Sequence, residues 1–176
     1  MRSALLKKVF CSGDRDTLVW AFKVFVRPIL EYASPVWSPS QISNITLVES
    51  VQRRFTRALC GLKNKSYAER LQILNLESLE KRRLMADLYL IYSLLHGIVK
   101  FDYSRFFELS THGRTRGHPR KLVLNLAKLD ARKYFFAHRI IKPWNELPSD
   151  CVNARSLSSF KQKLSLVNFN HFLTFP

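Results

Sequence analysis

The chain has 176 residues, 47% of them hydrophobic, with 29 Lys and Arg against 13 Asp and Glu, a net charge of +16. That length and 13 Phe support one packed domain, or one and a half, and exclude a disordered basic tail. A charge excess of this size repels itself unless a polyanion neutralises it, which makes nucleic acid the first candidate partner and an anionic membrane surface the second.

The charge is unevenly spread. Residues 1–62 carry nine basic and four acidic side chains, residues 63–113 eight and six, and residues 114–176 twelve and three. The last third is therefore expected to attract phosphate most strongly. Cys11, Cys60 and Cys151 are far apart and odd in number. They offer no disulfide framework and no paired-cysteine metal site, which suits a reducing setting inside the cell, cytoplasmic or nuclear. No apolar run reaches the roughly 18 residues of a membrane helix, and Lys7 and Lys8 interrupt any signal-peptide core.

In chain order, Leu5, Leu6, Val9 and Phe10 have helical spacing. Ser12-Gly13-Asp14 breaks the pattern. Asp16 or Thr17 then caps a helix over 17–33 whose inner stripe is Leu18, Phe22, Phe25, Val26, Ile29 and Leu30. Pro28 lacks an N–H and is expected to kink or end that helix. Ser34-Pro35 and Ser38-Pro39 make 32–40 an extended turn, with Tyr32 and Trp37 read as a lid on the core.

Residues 44–62 (NITLVESVQRRFTRALCGL) read as an amphipathic helix. Leu47, Val51, Phe55, Ala58, Leu59 and Leu62 share one face, Ser43 or Asn44 caps the start, and Gly61 stops it. Arg53, Arg54 and Arg57 fall outside or beside the apolar stripe. Lys63-Asn64-Lys65 makes a basic turn, and Ser66 with Glu69 forms a capping box for a short helix ending at Asn75. Ser78 caps the longest helix, 79–96, with Leu84, Leu88, Ile91 and Leu95 inward and Gly97 as its stop. Lys81-Arg82-Arg83 in its first turn opposes the helix dipole, a penalty relieved if the cations face an anion.

Phe101–Leu109 is an aromatic connector, and 110–121 is a polar, cationic loop that makes the best domain boundary in the chain. Leu122–Leu126 alternates as one short strand. Asp130 caps a helix over 131–147, in which Pro143 and Pro148 bracket a Trp144-Asn145 turn; Ser156 or Ser158 caps a final helix carrying Phe160, Leu164 and Val167. The 169–176 tail has no period and is expected to fray.

No catalytic constellation stands out. Asp14 and Asp16 suit a turn and a cap, and His112 and His118 lack a nearby Cys or carboxylate, so neither a metal site nor a cofactor is expected. The interleaving of cations and aromatics is more suggestive. Arg132, Lys133, Tyr134, Phe135 and Arg139 combine phosphate-seeking charge with rings on which bases stack.

Several ordered motifs then resemble one family. RPILEYASPVWSP at 27–39, Leu47-Val48-Glu49-x-Val51-Gln52-Arg53-Arg54-Phe55-Thr56-Arg57, Ser66-Tyr67, Glu69-Arg70-Leu71 and Leu79-Glu80-x-Arg82-Arg83 are followed in register by Thr115-Arg116-Gly117-His118. Arg132-x-x-Phe135-Phe136-x-x-Arg139, Trp144-Asn145-x-Leu147-Pro148 and Ser158-Ser159-Phe160-Lys161 continue the series. Together they are similar to the region after the palm in reverse transcriptases of non-LTR retrotransposons, LINE-type and Jockey-like.

The resemblance implies a mainly α protein: a helical thumb-like region over 1–109, a basic linker over 110–121 and a basic, loop-rich C-terminal module over 122–176. The palm aspartates and the endonuclease of that family have no counterpart in the sequence, so the chain is expected to be a non-catalytic fragment. Its expected partner is RNA or an RNA/DNA template–primer, with a separate polymerase palm as a second. The alternative is a relic or protein-interaction module with an apolar face, from Leu5, Val9 and parts of 18–30, that once met the palm. Candidate phosphate contacts are Arg53, Arg54, Arg57, Lys63, Lys65, Arg82 and Arg83, then Arg114, Arg116 and Arg120 in the loop, and Arg132, Lys133 and Arg139 beyond it.

Overall fold

The computed structural model describes residues 14–110 and 117–175. Among them the fold is mainly α, as expected; the only strand-like pairing is an antiparallel bridge between Leu109 and Leu122. Leu5, Val9, Cys11, His112, Arg114 and Arg116 lie outside the described residues. The chain parts into two compact units: one runs to Arg83 and takes in the segment that starts at Leu173, and the other is Leu84–Phe172. Compactness therefore changes at Arg83/Leu84, inside a helix, whereas composition changes at 110–121.

In the first unit, α1 (Arg15–Ala21) is capped by Asp14, and not by Asp16 or Thr17. The Asp14 carboxylate accepts the Thr17 N–H at 2.9 Å and the Thr17 hydroxyl at 2.8 Å. A π-helical turn (Phe22–Val26) leads into α2 (Arg27–Glu31). Pro28 explains it: with no N–H and a ring that crowds the carbonyl four residues back, it is accommodated by one widened turn in place of a break. After Ala33, in the left-handed region at φ 51°, α3 (Ser34–Trp37) makes one turn. Tyr32 is 81% exposed, so it is no core lid; Trp37 donates its indole N–H to the Tyr32 carbonyl and stays partly exposed.

The helix α4 (Ile42–Arg57) starts earlier and ends sooner than its apolar pattern predicts, with Gln41 and no side-chain cap at its start. Its buried face is also different. Ile45, Glu49, Gln52, Phe55 and Thr56 point inward, while Leu47 is 65% exposed and Ala58 lies at the surface. Phe55 stacks on Phe22 at 4.3 Å between ring centres, within a core that includes Leu18, Val26, Leu59, Leu62, Leu71 and Leu74. Glu49, Gln52 and Thr56 each find partners, with Gln52 engaged through its Nε2. Glu49 accepts the backbone N–H groups of Leu79 (3.0 Å) and Glu80 (3.2 Å) and the Tyr67 hydroxyl. Gln52 donates to Tyr67 Oη at 3.0 Å and to the Glu77 carbonyl at 2.9 Å. Burial, then the charge and hydrogen bond of Glu49, hold the Tyr67 hydroxyl well above its ordinary range.

The expected capping box opens α5 (Tyr67–Ile73), with Ser66 and Glu69 each accepting the other's backbone N–H. It closes at Asn75, whose φ of 47° lets the Leu76 N–H reach the Leu71 carbonyl at 2.9 Å. The helix α6 (Leu79–Leu95) has two caps. Ser78 accepts the Lys81 N–H at 3.3 Å, and Glu49 supplies the carboxylate at the positive end. Gly97, at φ 67°, ends it as expected, with Ile98 N–H bonded to the Ser93 carbonyl.

The second unit packs Leu88, Ile91, Tyr92, Trp144, Val152, Phe160 and Leu164 into one core. Tyr92 stacks on Phe160 at 4.2 Å and donates to the Ala154 carbonyl at 2.6 Å. The single helix expected over 131–147 is instead α7 (Asp130–Lys133), α8 (Phe136–Arg139) and α9 (Ile141–Asn145). Phe135 is extended, and Pro143 cannot satisfy the Arg139 carbonyl, so one continuous helix is blocked. Nor does 122–126 form a strand: the Asn145 side chain pairs with both backbone groups of Leu122 at 2.8 Å, in the place of a second strand. Two further helices follow, α10 (Ser149–Val152) and α11 (Leu157–Leu164), the latter capped by Ser156.

The tail does not fray. In the first unit Glu80 Oε2 accepts the N–H groups of Thr174 and Phe175, both at 2.9 Å, and Ser78 donates to the Phe175 carbonyl.

Replacing Glu49 by Ala is expected to strip partners from three donors at once and to cost about 3 kcal/mol. Hydrogen exchange at the Leu79 and Glu80 amides, together with the urea midpoint, checks it; unchanged protection of those amides would remove Glu49 from its capping role.

Candidate nucleic-acid interface

The second half of α4 runs into a turn and then into α5, and this corner brings cations from all three together. Arg53, Arg54 and Arg57 come from one side, Lys63 and Lys65 from the turn, and Tyr67 and Arg70 from α5. With Asn64 and Ser66 they line an open cleft of about 610 Å³, and none of its lining residues is acidic. The Glu49 and Gln52 bonds set this arrangement. They turn the polar face of α4 inward at 49, 52 and 56, which leaves 53, 54 and 57 on the cleft side.

The cleft cations differ in freedom. Arg54, Arg57, Lys63 and Lys65 are exposed. Arg53 is half-buried, its guanidinium over the Tyr67 ring at 4.9 Å and the Phe175 ring at 4.2 Å. Arg70, absent from the sequence-derived candidates, is buried; its Nε donates to Thr56 Oγ1 at 3.1 Å and one Nη to the Lys65 carbonyl at 2.6 Å. Its position four residues after Ser66 reads as an ordinary solvated helix position, and only the packing of α5 on Thr56 reveals its burial. An adjoining hollow of about 520 Å³ shares Arg54, Arg57 and Lys63 and includes the exposed thiol of Cys60.

The other candidates are placed differently. Arg82 forms a two-pronged pair with Glu31 and lies near Glu77, and Lys81 pairs with Glu77 at 3.0 Å. Arg83 is only 2% exposed, its guanidinium 6.0 Å from the Trp37 ring centre, and cannot reach an outside phosphate. The anions that relieve the cationic first turn of α6 are thus the protein's own carboxylates. Arg120 donates to the Leu95 carbonyl at 2.9 Å, closing the C-terminal end of α6. Arg139 forms a two-pronged pair with the buried Asp87 at 2.9 and 3.2 Å.

Arg132 and Lys133 are exposed. Lys133 lines a hollow of about 300 Å³ in the second unit with Tyr134, His138, Lys142 and Leu124–Ala127. Of the rings expected near the rim, Tyr134 and Phe135 are exposed and Phe136 is partly buried. His118 is buried, its Nε2–H donating to the Trp144 carbonyl at 3.0 Å, which makes it a core group. Burial holds its pKa below the ordinary histidine value.

No family model and no solved structure matches the chain. Among curated proteins, an uncharacterized protein of Caenorhabditis elegans is 29% identical over 83 residues, covering 46% of this chain and 42% of that protein. The match spans less than half of either protein and carries no activity with it.

Arg139→Gln removes the guanidinium that faces a buried carboxylate and is expected to cost about 3 kcal/mol, whereas Arg57→Gln changes stability by less than about 0.5 kcal/mol. Urea unfolding of both variants compares them, and equal losses would erase the distinction between structural and surface cations. The two described thiols are expected to separate as sharply. Cys60 reacts with a maleimide in the native protein, while Cys151, buried with its thiol pushed up to about 11, reacts only on unfolding. Peptide mapping by mass spectrometry reads both.

Proposed function

We propose that the chain is a non-catalytic C-terminal fragment of a retrotransposon RNA-directed DNA polymerase that holds RNA or an RNA/DNA template–primer. The observation that carries the binding part of this reading is the acid-free cleft that gathers Arg53, Arg54, Arg57, Lys63 and Lys65. The polymerase origin rests on the ordered motifs along the sequence. Catalysis would then belong to a separate palm.

The cleft suits backbone recognition. Exposed Lys and Arg side chains displace counterions from phosphates, so affinity is strongly salt-dependent and weakly sequence-dependent. Of the described residues, no helix is long and apolar enough to cross a membrane.

A second reading has its own support. Trp20, Val24, Phe25, Ile29, Tyr32 and Val36 are all exposed along α1–α3, at spacings of three and four apart from the adjacent Val24 and Phe25. Such a stripe suits a protein-interaction surface, or the relic of one.

Fluorescence anisotropy with labelled RNA across a salt series decides between them. The expected log–log slope loses about 0.7 for each single-strand phosphate contact removed by Arg53→Gln, Arg57→Gln or Lys63→Gln. Salt-insensitive binding, or none at low salt, overturns the nucleic-acid reading. Dimers or aggregates in size-exclusion chromatography without RNA affinity would favour the apolar face. No nucleotide incorporation is expected, and Mg-dependent primer extension would overturn the fragment reading.

A further inference from the structure

Arg70 is 6% exposed, yet among the described residues no carboxylate pairs with it. Its two hydrogen-bond acceptors, Thr56 Oγ1 and the Lys65 carbonyl, are neutral. Glu69, next to it in sequence, caps Ser66, and Glu49, bonded to Tyr67, caps α6. A buried guanidinium without an opposite charge is costly, and here further cations in the same cleft raise that cost. Burial and the nearby Arg57 charge accordingly push the Arg70 pKa down.

The same corner is poorly suited to bases. Tyr67, the aromatic ring among its lining residues, already lies against the guanidinium groups of Arg53 and Arg70, with its hydroxyl bonded to Glu49 and Gln52, and the Phe175 ring at its edge lies against Arg53. The chemistry of the cleft suits a compact anion and not a stacked base.

We infer that the cleft is a fixed phosphate-binding site anchored on Arg70, in which one tetrahedral phosphate group pairs with the guanidinium edge that serves neither Thr56 nor Lys65, while Arg57 and Lys65 close over it. This inference rests on the nucleic-acid reading and sharpens it. Binding is then not a diffuse attraction but has one deep contact, which every bound strand must fill with a phosphate. The phosphate is either the monoester at a strand end or a diester within it.

The test uses the full chain in chloride buffer at fixed ionic strength. Inorganic phosphate is expected to raise the thermal midpoint by about 3 °C at saturating concentration, where chloride does not. Arg70→Lys keeps the charge but loses the two-pronged geometry, and is expected to weaken phosphate binding about tenfold. Arg155→Gln, exposed and outside the cleft, leaves it unchanged. Should Arg70→Lys fail to fold, phosphate protection of the Tyr67–Arg70 amides from hydrogen exchange in the unaltered chain gives the same answer. A 5′-phosphorylated oligonucleotide that binds several-fold tighter than its 5′-hydroxyl twin assigns the site to strand ends; equal affinity, with both weakened by Arg70→Lys, assigns it to internal phosphates. RNA binding that persists without any phosphate effect, or is untouched by Arg70→Lys, overturns the anchor and leaves the nucleic-acid reading standing. Loss of all RNA binding in the unaltered chain removes that reading itself.

Discussion

One buried carboxylate organises the first unit. Glu49 is fully buried, and its oxygens are spent on the first backbone N–H groups of α6 and on the Tyr67 hydroxyl. A helix start carries unsatisfied donors and partial positive charge, so a carboxylate there is stabilised by what it caps. That single contact ties α4 to the start of α6 and, through Tyr67, to the start of α5. It also sets the rotation of α4 about its axis. With 49, 52 and 56 turned in, the arginines at 53, 54 and 57 are carried to the rim of the cleft.

The cations divide by what lies beside them. Arg82 faces Glu31, Arg139 faces Asp87, and Arg120 meets the carbonyl end of α6. These are groups whose charge is answered within the fold, and an outside polyanion would have to displace an existing partner. Arg54, Arg57, Lys63 and Lys65 sit where no carboxylate lines the surface. Local balance therefore says more about binding than the total of +16 does. The last third of the chain has the largest excess of positive charge, yet the acid-free cleft that gathers Arg53, Arg54, Arg57, Lys63 and Lys65 is in the first unit.

The tail belongs to the same logic. Phe175 covers the Arg53 guanidinium, while Glu80 and Ser78 hold the backbone on which Phe175 sits. Arg53 is thereby held between two rings at the edge of the cleft, with less freedom than its exposed neighbours. A segment with no periodicity of its own becomes ordered because its N–H groups find a carboxylate.

The sequence by itself determined the elements whose signals are local. The mainly α class, the Ser66–Glu69 capping box, the Gly97 stop, a serine cap at 156 or 158 and the Leu88, Ile91 and Leu95 stripe were all legible, because caps, stops and periodicity act within a few residues. Arg53, Arg54, Arg57, Lys63 and Lys65 could be named as candidates, but not as one cleft. Tertiary structure decided the rest. It turned Glu49, Gln52 and Thr56 inward against the apolar stripe, because partners distant in sequence satisfied them better than water could. It buried Arg83, tied Arg139 to Asp87 and brought in Arg70, whose burial depends on Thr56 from another helix. Charge is written in the sequence, but whether a charge is answered depends on which residues far along the chain come to lie beside it.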